Sequence, residues 1–395
     1  MKIAGIVAEY NPFHRGHAWH VSETRRLTGC DFVIACMAGH FTQRGEPALW
    51  SKWARTRMAL ASGVDAVFEL PTLFAVRTAD VFARGGVAIL GGLGVDVLSF
   101  GSETDDMALL TSLADLRRSE PEALTGAIRA KLDAGLSHAR ARGVAVAEAL
   151  GVPAEAINRP NAVLATEYLR AIAEQGLDIE AVAVRRAGDY HDESLGGMAS
   201  ATAIRAAIMR GEADAALAAL PETARPFAAP DALHPMDDVL LHALRGMRLD
   251  QLAALPDVAE GLENRLYAAC RDVGSREDLL GALKCKRYTR ARLSRTLAHA
   301  LLGFDKALVA AHPMPTYARL LGVREGAEDL LTELSHRSKL PVVTRASLLQ
   351  SDPVFAVECR ATDAWALMHD APGLRRAGRE FRERFVRGWG VGNRE

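Results

Sequence analysis

Strand-like runs recur between helix-patterned stretches through the first half of this chain: Ile3–Ala8, Phe32–Met37, Ala66–Leu70, Val95–Phe100 and Ala181–Val184. Helical patterns occupy about 17–27, 52–62, 79–93 and 160–174 between them. Such alternation predicts a parallel sheet with helices on both faces, because parallel neighbours need a crossover connection. Gly63, Gly94 and Gly101 fall where helices end or strands stop. Residues 105–151 read as mostly helical, an insertion between two strands.

From about Ala201 onward strand patterns almost vanish, and 239–247, 258–273, 287–302 and 328–338 read as helices. Pro221, Pro226, Pro230 and Pro235 cluster between the two regimes. The expected organisation is an α/β domain over 1–222 and a mainly α-helical domain over 223–395. A length of 395 residues accommodates both. With a formal net charge of -1, no global field draws the chain to nucleic acid or membrane, so such binding needs a local patch. Cys30, Cys36, Cys270, Cys285 and Cys359 are scattered without C-x-x-C spacing, which argues against a zinc site or disulfide framework. Met1-Lys2 leads directly into the first strand, with no signal-peptide pattern and no apolar run of membrane-spanning length. A cytoplasmic protein without membrane contact is expected.

In a doubly wound sheet, ligands bind beyond the carboxyl ends of the strands. Immediately after the first strand stands Asn11-Pro12-Phe13-His14-Arg15-Gly16-His17. Gly16 allows close approach to the backbone. His17 falls in the first turn of the next helix, where exposed N–H groups and the dipole favour an anion. His14, one turn earlier, can aim at the same point. The pair suits a phosphoryl group gaining charge during transfer, although a solvated polar turn would use the same residues. Ser200-Ala201-Thr202-Ala203-Ile204-Arg205 follows the fifth strand candidate. Ser200 or Thr202 can cap a helix whose N–H groups, with Arg205, form a second phosphate cradle. Gln43–Pro47 is a polar loop after the second strand; its Arg44, and Lys52 beyond it, can neutralise a carboxylate or phosphate, or simply lie on a solvated turn.

H-x-G-H after the first strand with S-x-T-x-I-R after the last resembles the nucleotidylyltransferase superfamily, which holds a nucleotide α-phosphate between these motifs. The Lys-rich closing loop of class I tRNA synthetases is missing. Further segments narrow the resemblance: VAEYNPFHRGH (7–17), QRGEPA (43–48), KWAR (52–55), FELP (68–71), GSE (101–103), RPNAVLATEYL (159–169), YHD (190–192), KRYTR (286–290) and SKLPVVTR (338–345). Together they resemble the bacterial tRNA(Met) cytidine acetate ligase family across roughly 1–345. That resemblance implies a nucleotidylyltransferase-like fold, ATP with Mg²⁺, and acetate activated as acetyl-adenylate. The acetyl group then passes to the wobble cytidine of elongator tRNA(Met). It assigns catalysis to His14, His17 and Arg205. It assigns nucleotide contacts to Val7, Glu9, Asn11, Phe13, Gly16, Gly101, Asn161, Ser200, Thr202 and the Arg185–Arg186 pair. The family's Arg-Ile-Gly run before Y-H-D is Arg-Arg-Ala-Gly here, so either arginine can face the nucleotide.

Lys284, Lys286, Arg287, Arg290, Arg292 and Arg295 crowd one stretch around Tyr288, with no acidic residue among them. A basic helix with an aromatic suits an RNA backbone and a stacked unpaired base, while a solvated charged face is the ordinary alternative. Two rival functions stay open on the residues: a small-molecule adenylyltransferase, and a non-catalytic nucleotide- or RNA-binding protein.

Overall fold

A computed structural model describes residues 1–157, 159–185, 198–229, 233–285 and 287–388. Among the described residues, eight strands form one sheet: β1 (Ile3–Ala8), β2 (Phe32–Ala38), β3 (Ala66–Leu70), β4 (Val97–Ser102), β5 (Glu180–Arg185), β6 (Ala318–Val323), β7 (Val342–Val343) and β8 (Val386–Arg387). Their order is β5-β4-β1-β2-β3-β6-β7, with β8 also paired to β6. The first five strands are mutually parallel, as expected. Chain connections run one way from β1 to β3 and the other way through β4 to β5. The switch point therefore lies between β1 and β4.

Helices Arg15–Thr28, Lys52–Ala61, Ala79–Gly92 and Pro160–Glu174 follow the patterns read from sequence to within a few residues. Residues between β4 and β5 add the helices Met107–Arg118, Glu122–Asp133 and His138–Leu150. A later helical layer, including Asp237–Gly246, Leu262–Asp272 and Arg290–Leu302, buries Leu240, Leu244, Leu266 and Leu297. Among the described residues no helix is long and apolar enough to cross a membrane.

The late strands differ from the sequence reading, which placed only helices there. β6 pairs antiparallel with β3, and β7 and β8 then pair parallel with β6. The sheet is thus shared by early and late parts of the chain.

A buried charge cluster fastens that junction. Lys52, expected on the ligand rim, is fully enclosed and bonds Glu69 of β3 and, at 2.6 Å, Glu380. Arg319 of β6 bridges the same carboxylates at 2.9 and 2.5 Å. Burial pushes the Glu380 carboxyl up, but Lys52 and Arg319 outweigh it and hold it down at about 2. Burial, with Glu69 alongside, keeps the Glu358 carboxyl well above its ordinary range. Lys52 and Arg319 thus each contact both Glu69 and Glu380. Glu358 also accepts the Thr72 backbone N–H, tying the helix Pro353–Ala366 to the end of β3. Removing one member of a buried ion pair typically costs about 3–5 kcal/mol. Lys52→Met should therefore lower the urea unfolding free energy by that order, and a loss below about 1 kcal/mol would contradict this role.

Candidate active site

The site is built where β1 hands over to its helix. Tyr10 takes a φ of 48°, left-handed backbone that turns the chain sharply out of the strand. His14 then caps the helix Arg15–Thr28, its Nδ1 accepting the Gly16 N–H at 3.0 Å. The His14 backbone N–H donates to Nδ1 of His17 at 3.2 Å. The two rings stack with centroids 3.8 Å apart and planes 25° from parallel. Because each Nδ1 accepts a backbone N–H, each neutral ring carries its proton on Nε2. Two side-by-side N–H donors at a helix N-terminus make a strong anion site.

Both rings line a cavity of about 430 Å³ at the switch point. Its phosphate-like wall continues through Ser200, Thr202 and Arg205. Ser200 caps the helix Ala201–Met209, accepting the Ala203 N–H at 3.1 Å. Arg205 donates to the Asn11 carbonyl at 2.6 Å and to the Thr202 hydroxyl at 3.3 Å, joining the two motifs. Phe82, Phe100, Gly101, Leu164 and Tyr168 also line it, an apolar surface suited to a base and sugar. Asn161 joins this surface, its amide donating to Glu103 at 2.7 Å. Glu103 also receives the Ala162 N–H, and so caps the helix Pro160–Glu174.

Thr42, Gln43, Arg44 and Glu46 form the third side. The Gln43 N–H donates to Glu9 at 2.6 Å. Enclosure raises the Glu9 carboxyl above its ordinary range, against that hydrogen bond, Arg205 and Arg44, which pull it down. From behind, the helix Arg290–Leu302 holds this loop: Ser294 Oγ donates to the Arg44 carbonyl at 2.5 Å. Gly45 has a φ of 73°, and a Cβ there would stand 2.7 Å from the Ser294 carbonyl oxygen. The same helix sends His299 to the Val76 carbonyl at 2.7 Å, just before the cavity-lining Ala79.

Val7, Glu9, Asn11, His14, His17, Gly101, Asn161, Ser200, Thr202 and Arg205 are thus brought together. Phe13 and Gly16 are not on the cavity wall. Phe13 is fully buried, its ring 5.5 Å from His17 and 4.8 Å from Tyr10, so it backs the histidines. A Cβ on Gly16 would meet His14 Cε1 at 2.9 Å, so this glycine makes room for the imidazole rather than for a ligand. Arg185 is exposed at the end of β5, away from the cavity lining. Arg186, Lys286 and the His191-Asp192 pair lie outside the described residues.

The basic stretch divides. Lys284, Arg287 and Arg290 are exposed, with Arg290 paired to Glu277 at 2.5 Å. Arg292 donates to the Asp257 carbonyl at 2.7 and 2.9 Å, and Arg295 faces the Asp257 carboxylate at 3.5 Å. The Tyr288 ring is buried and its hydroxyl donates to the Ala259 carbonyl at 3.2 Å, so it offers no stacking surface. Sequence reasoning missed His20, which lines the cavity and contacts Ser99 Oγ at 3.0 Å. Its spacing after His14 and His17 puts all three on one helix face, a clue that was available.

Residues 1–379 match the model of the HIGH Nucleotidyl Transferase family. The tRNA(Met) cytidine acetate ligase of Acetivibrio thermocellus is 35% identical over 98% of this chain and all of its own length. That of Anoxybacillus flavithermus is 37% identical over 94% of this chain and 96% of its own. A crystal structure of Thermotoga maritima TmcAL bound with alpha-thio ATP superposes with a TM-score of 0.89 at 30% identity, covering 98% of this chain and 100% of that one.

The His299 clamp has a pH signature. Burial lowers its pKa from 6.5 to about 4. The unfolded chain therefore takes up a proton from 6.5 downward while the folded form resists until about 4. Its stabilising effect is complete above that window and is lost as the pH falls through it. In His299→Gln, the stability deficit relative to wild type should shrink by about 2–3 kcal/mol between pH 7 and pH 4.5. Denaturant titrations at both pH values test this, and a deficit independent of pH would overturn it.

Proposed function

The chain belongs to the tRNA(Met) cytidine acetate ligase family, and from that premise we propose that it joins acetate to the wobble cytidine of elongator tRNA(Met) through acetyl-adenylate. The observation that carries this reading is the convergence of His14, His17 and Arg205 on one wall of a cavity whose other wall is apolar. ATP lies with its base and sugar along Phe100, Gly101 and Tyr168 and its phosphates toward the histidines. Acetate attacks the α-phosphorus and pyrophosphate leaves. The two Nε2–H donors and the Arg205 guanidinium stabilise the charge that grows on the phosphoryl oxygens. No protein nucleophile is required, since positioning and electrostatics provide the acceleration. Mg²⁺ would come with the triphosphate and would offset the charge of the departing pyrophosphate. The family resemblance also assigns a nucleotide contact to the Arg185–Arg186 pair, of which Arg185 is exposed at the end of β5.

RNA approaches from the later helical part. Lys284, Lys286, Arg287 and Arg290 supply phosphate contacts there, with Arg292 and Arg295 bracing the helix behind them. The anticodon loop presents its cytidine unpaired, so no duplex has to be opened.

The reading is tested by following AMP and pyrophosphate from ATP with and without acetate. Both should form only with acetate, and His17→Ala should lower the rate by about two to three orders of magnitude while the fold survives. Acetate-independent turnover, or wild-type rates in the variant, would overturn it. The division of labour is tested separately. Lys284→Glu with Arg287→Glu should depress cytidine acetylation at least roughly tenfold more than acetyl-adenylate formation measured without tRNA. It should also reduce the log–log salt slope of tRNA binding by roughly 0.7 per lost contact. Equal loss of both activities in the folded variant would contradict the division.

A further inference from the structure

Resting on the reading above, we infer that Glu9 is the base that takes the proton from the cytidine N4 amine during acetyl transfer. Its placement carries the inference. Glu9 lines the same cavity as His14 and His17 and accepts the Gln43 N–H, while the neighbouring Arg44 carbonyl is held by Ser294 of the helix that begins at Arg290. Glu9 thus links the histidines' cavity to the loop that this helix supports, which puts it where an activated acyl group and an amine delivered from the Arg290 side would meet.

The side chain is held for such a role. One carboxylate oxygen accepts the Gln43 N–H at 2.6 Å, the other has no hydrogen-bond partner among the described residues, and the residue lines the cavity. The backbone is fixed as well, because Arg55 Nη1 donates to the Glu9 carbonyl at 2.6 Å. Arg44 and Glu46 face it from the loop, and Arg205 from the Ala201–Met209 helix. Arg55 and Tyr168 interact with it electrostatically, and His14 and His17, a few residues on in the same segment, share its cavity. The three arginines favour the ionised form while enclosure opposes it, which tunes the carboxyl upward toward the useful range for a base at neutral pH.

The step balances. The N4 lone pair forms a bond to the acetyl carbon, and the bond from that carbon to the AMP phosphate oxygen breaks. Its electron pair leaves on AMP. The N4 proton passes to the free Glu9 oxygen and from there to water. A cytidine amine is a poor nucleophile because its lone pair is delocalised into the ring, so proton removal as the new bond forms matters more than for an alkyl amine.

Supplying chemically prepared acetyl-adenylate and elongator tRNA(Met) isolates this step from acetate activation. In single turnovers, Glu9→Gln should slow N4-acetylcytidine formation by about 10²-fold or more, the range of general-base catalysis. Because Glu9 also lines the nucleotide cavity, transfer is compared at saturating acetyl-adenylate, and acetyl-adenylate formation from ATP and acetate is measured separately. The wild-type transfer rate should rise with pH through one ionisation, and that limb should vanish in Glu9→Gln but persist, at lower rate, in Glu9→Asp. Thermal unfolding and acetyl-adenylate affinity are measured on each variant. Transfer at wild-type rate, an unchanged pH limb, or a loss explained by weaker acetyl-adenylate binding would overturn the role of Glu9. If wild-type protein itself fails to acetylate tRNA from acetyl-adenylate, the underlying reading falls and this inference with it. Should wild type transfer normally while Glu9→Gln does too, only the inference falls.

Discussion

Everything at this site hangs on one buried arginine. Where β1 and β2 end, the chain leaves the sheet and their terminal carbonyls lose ladder partners deep inside the protein. Arg55 meets that need: it donates to the carbonyls of Glu9, Ala38, Gly39 and Trp50. A guanidinium offers five donors in a fixed plane, which no other side chain does. Enclosure lowers its pKa only to about 10, so it stays charged, with Glu9 and Glu69 as its nearest counter-charges. The turn that carries His14 and His17, and the loop that carries Gln43 and Arg44, therefore leave the sheet from a common fixed point.

The second fixed point is the Arg290–Leu302 helix. Ser294 and His299 reach two different segments of the cavity's edge, the Arg44 carbonyl and the Val76 carbonyl. A helix with the exposed Arg290 at its start and these two contacts along its length ties the late helical layer to the cavity. Geometry at the reacting centre is then set by packing on both sides, as precise positioning requires.

Much of this was legible in the sequence because it is local. Strand–helix alternation places β1 to β5 and their crossovers, and the H-x-G-H and S-x-T-x-I-R motifs sit at helix starts that their own capping residues announce. What escaped is non-local. β7 and β8 are two residues each, too short for any periodicity, and β6 is buried along its whole length, so it shows no alternation. The stretch from Lys284 to Arg295 reads as undiluted positive charge because its acidic partners, Asp257 and Glu277, lie elsewhere in the chain. Lys52 looks like a surface lysine beside a polar loop, and only the fold brings Glu69 and Glu380 around it. Gly16 was noticed as a glycine near a ligand, but its reason is steric accommodation of His14.

The way β6 closes the sheet limits how such a protein can evolve. A unit that ended at β5 could trade the part that follows it for another, as modules on flexible linkers do. Here β3 would lose its neighbour, and Glu69 would lose Arg319 and Glu380 would vanish from around Lys52. Exchange by recombination at the boundary between the two parts would leave an open edge strand above an unbalanced interior charge. Change is therefore reached more readily by altering exposed side chains along the helical layer than by swapping that layer, and the two ends of the chain descend together.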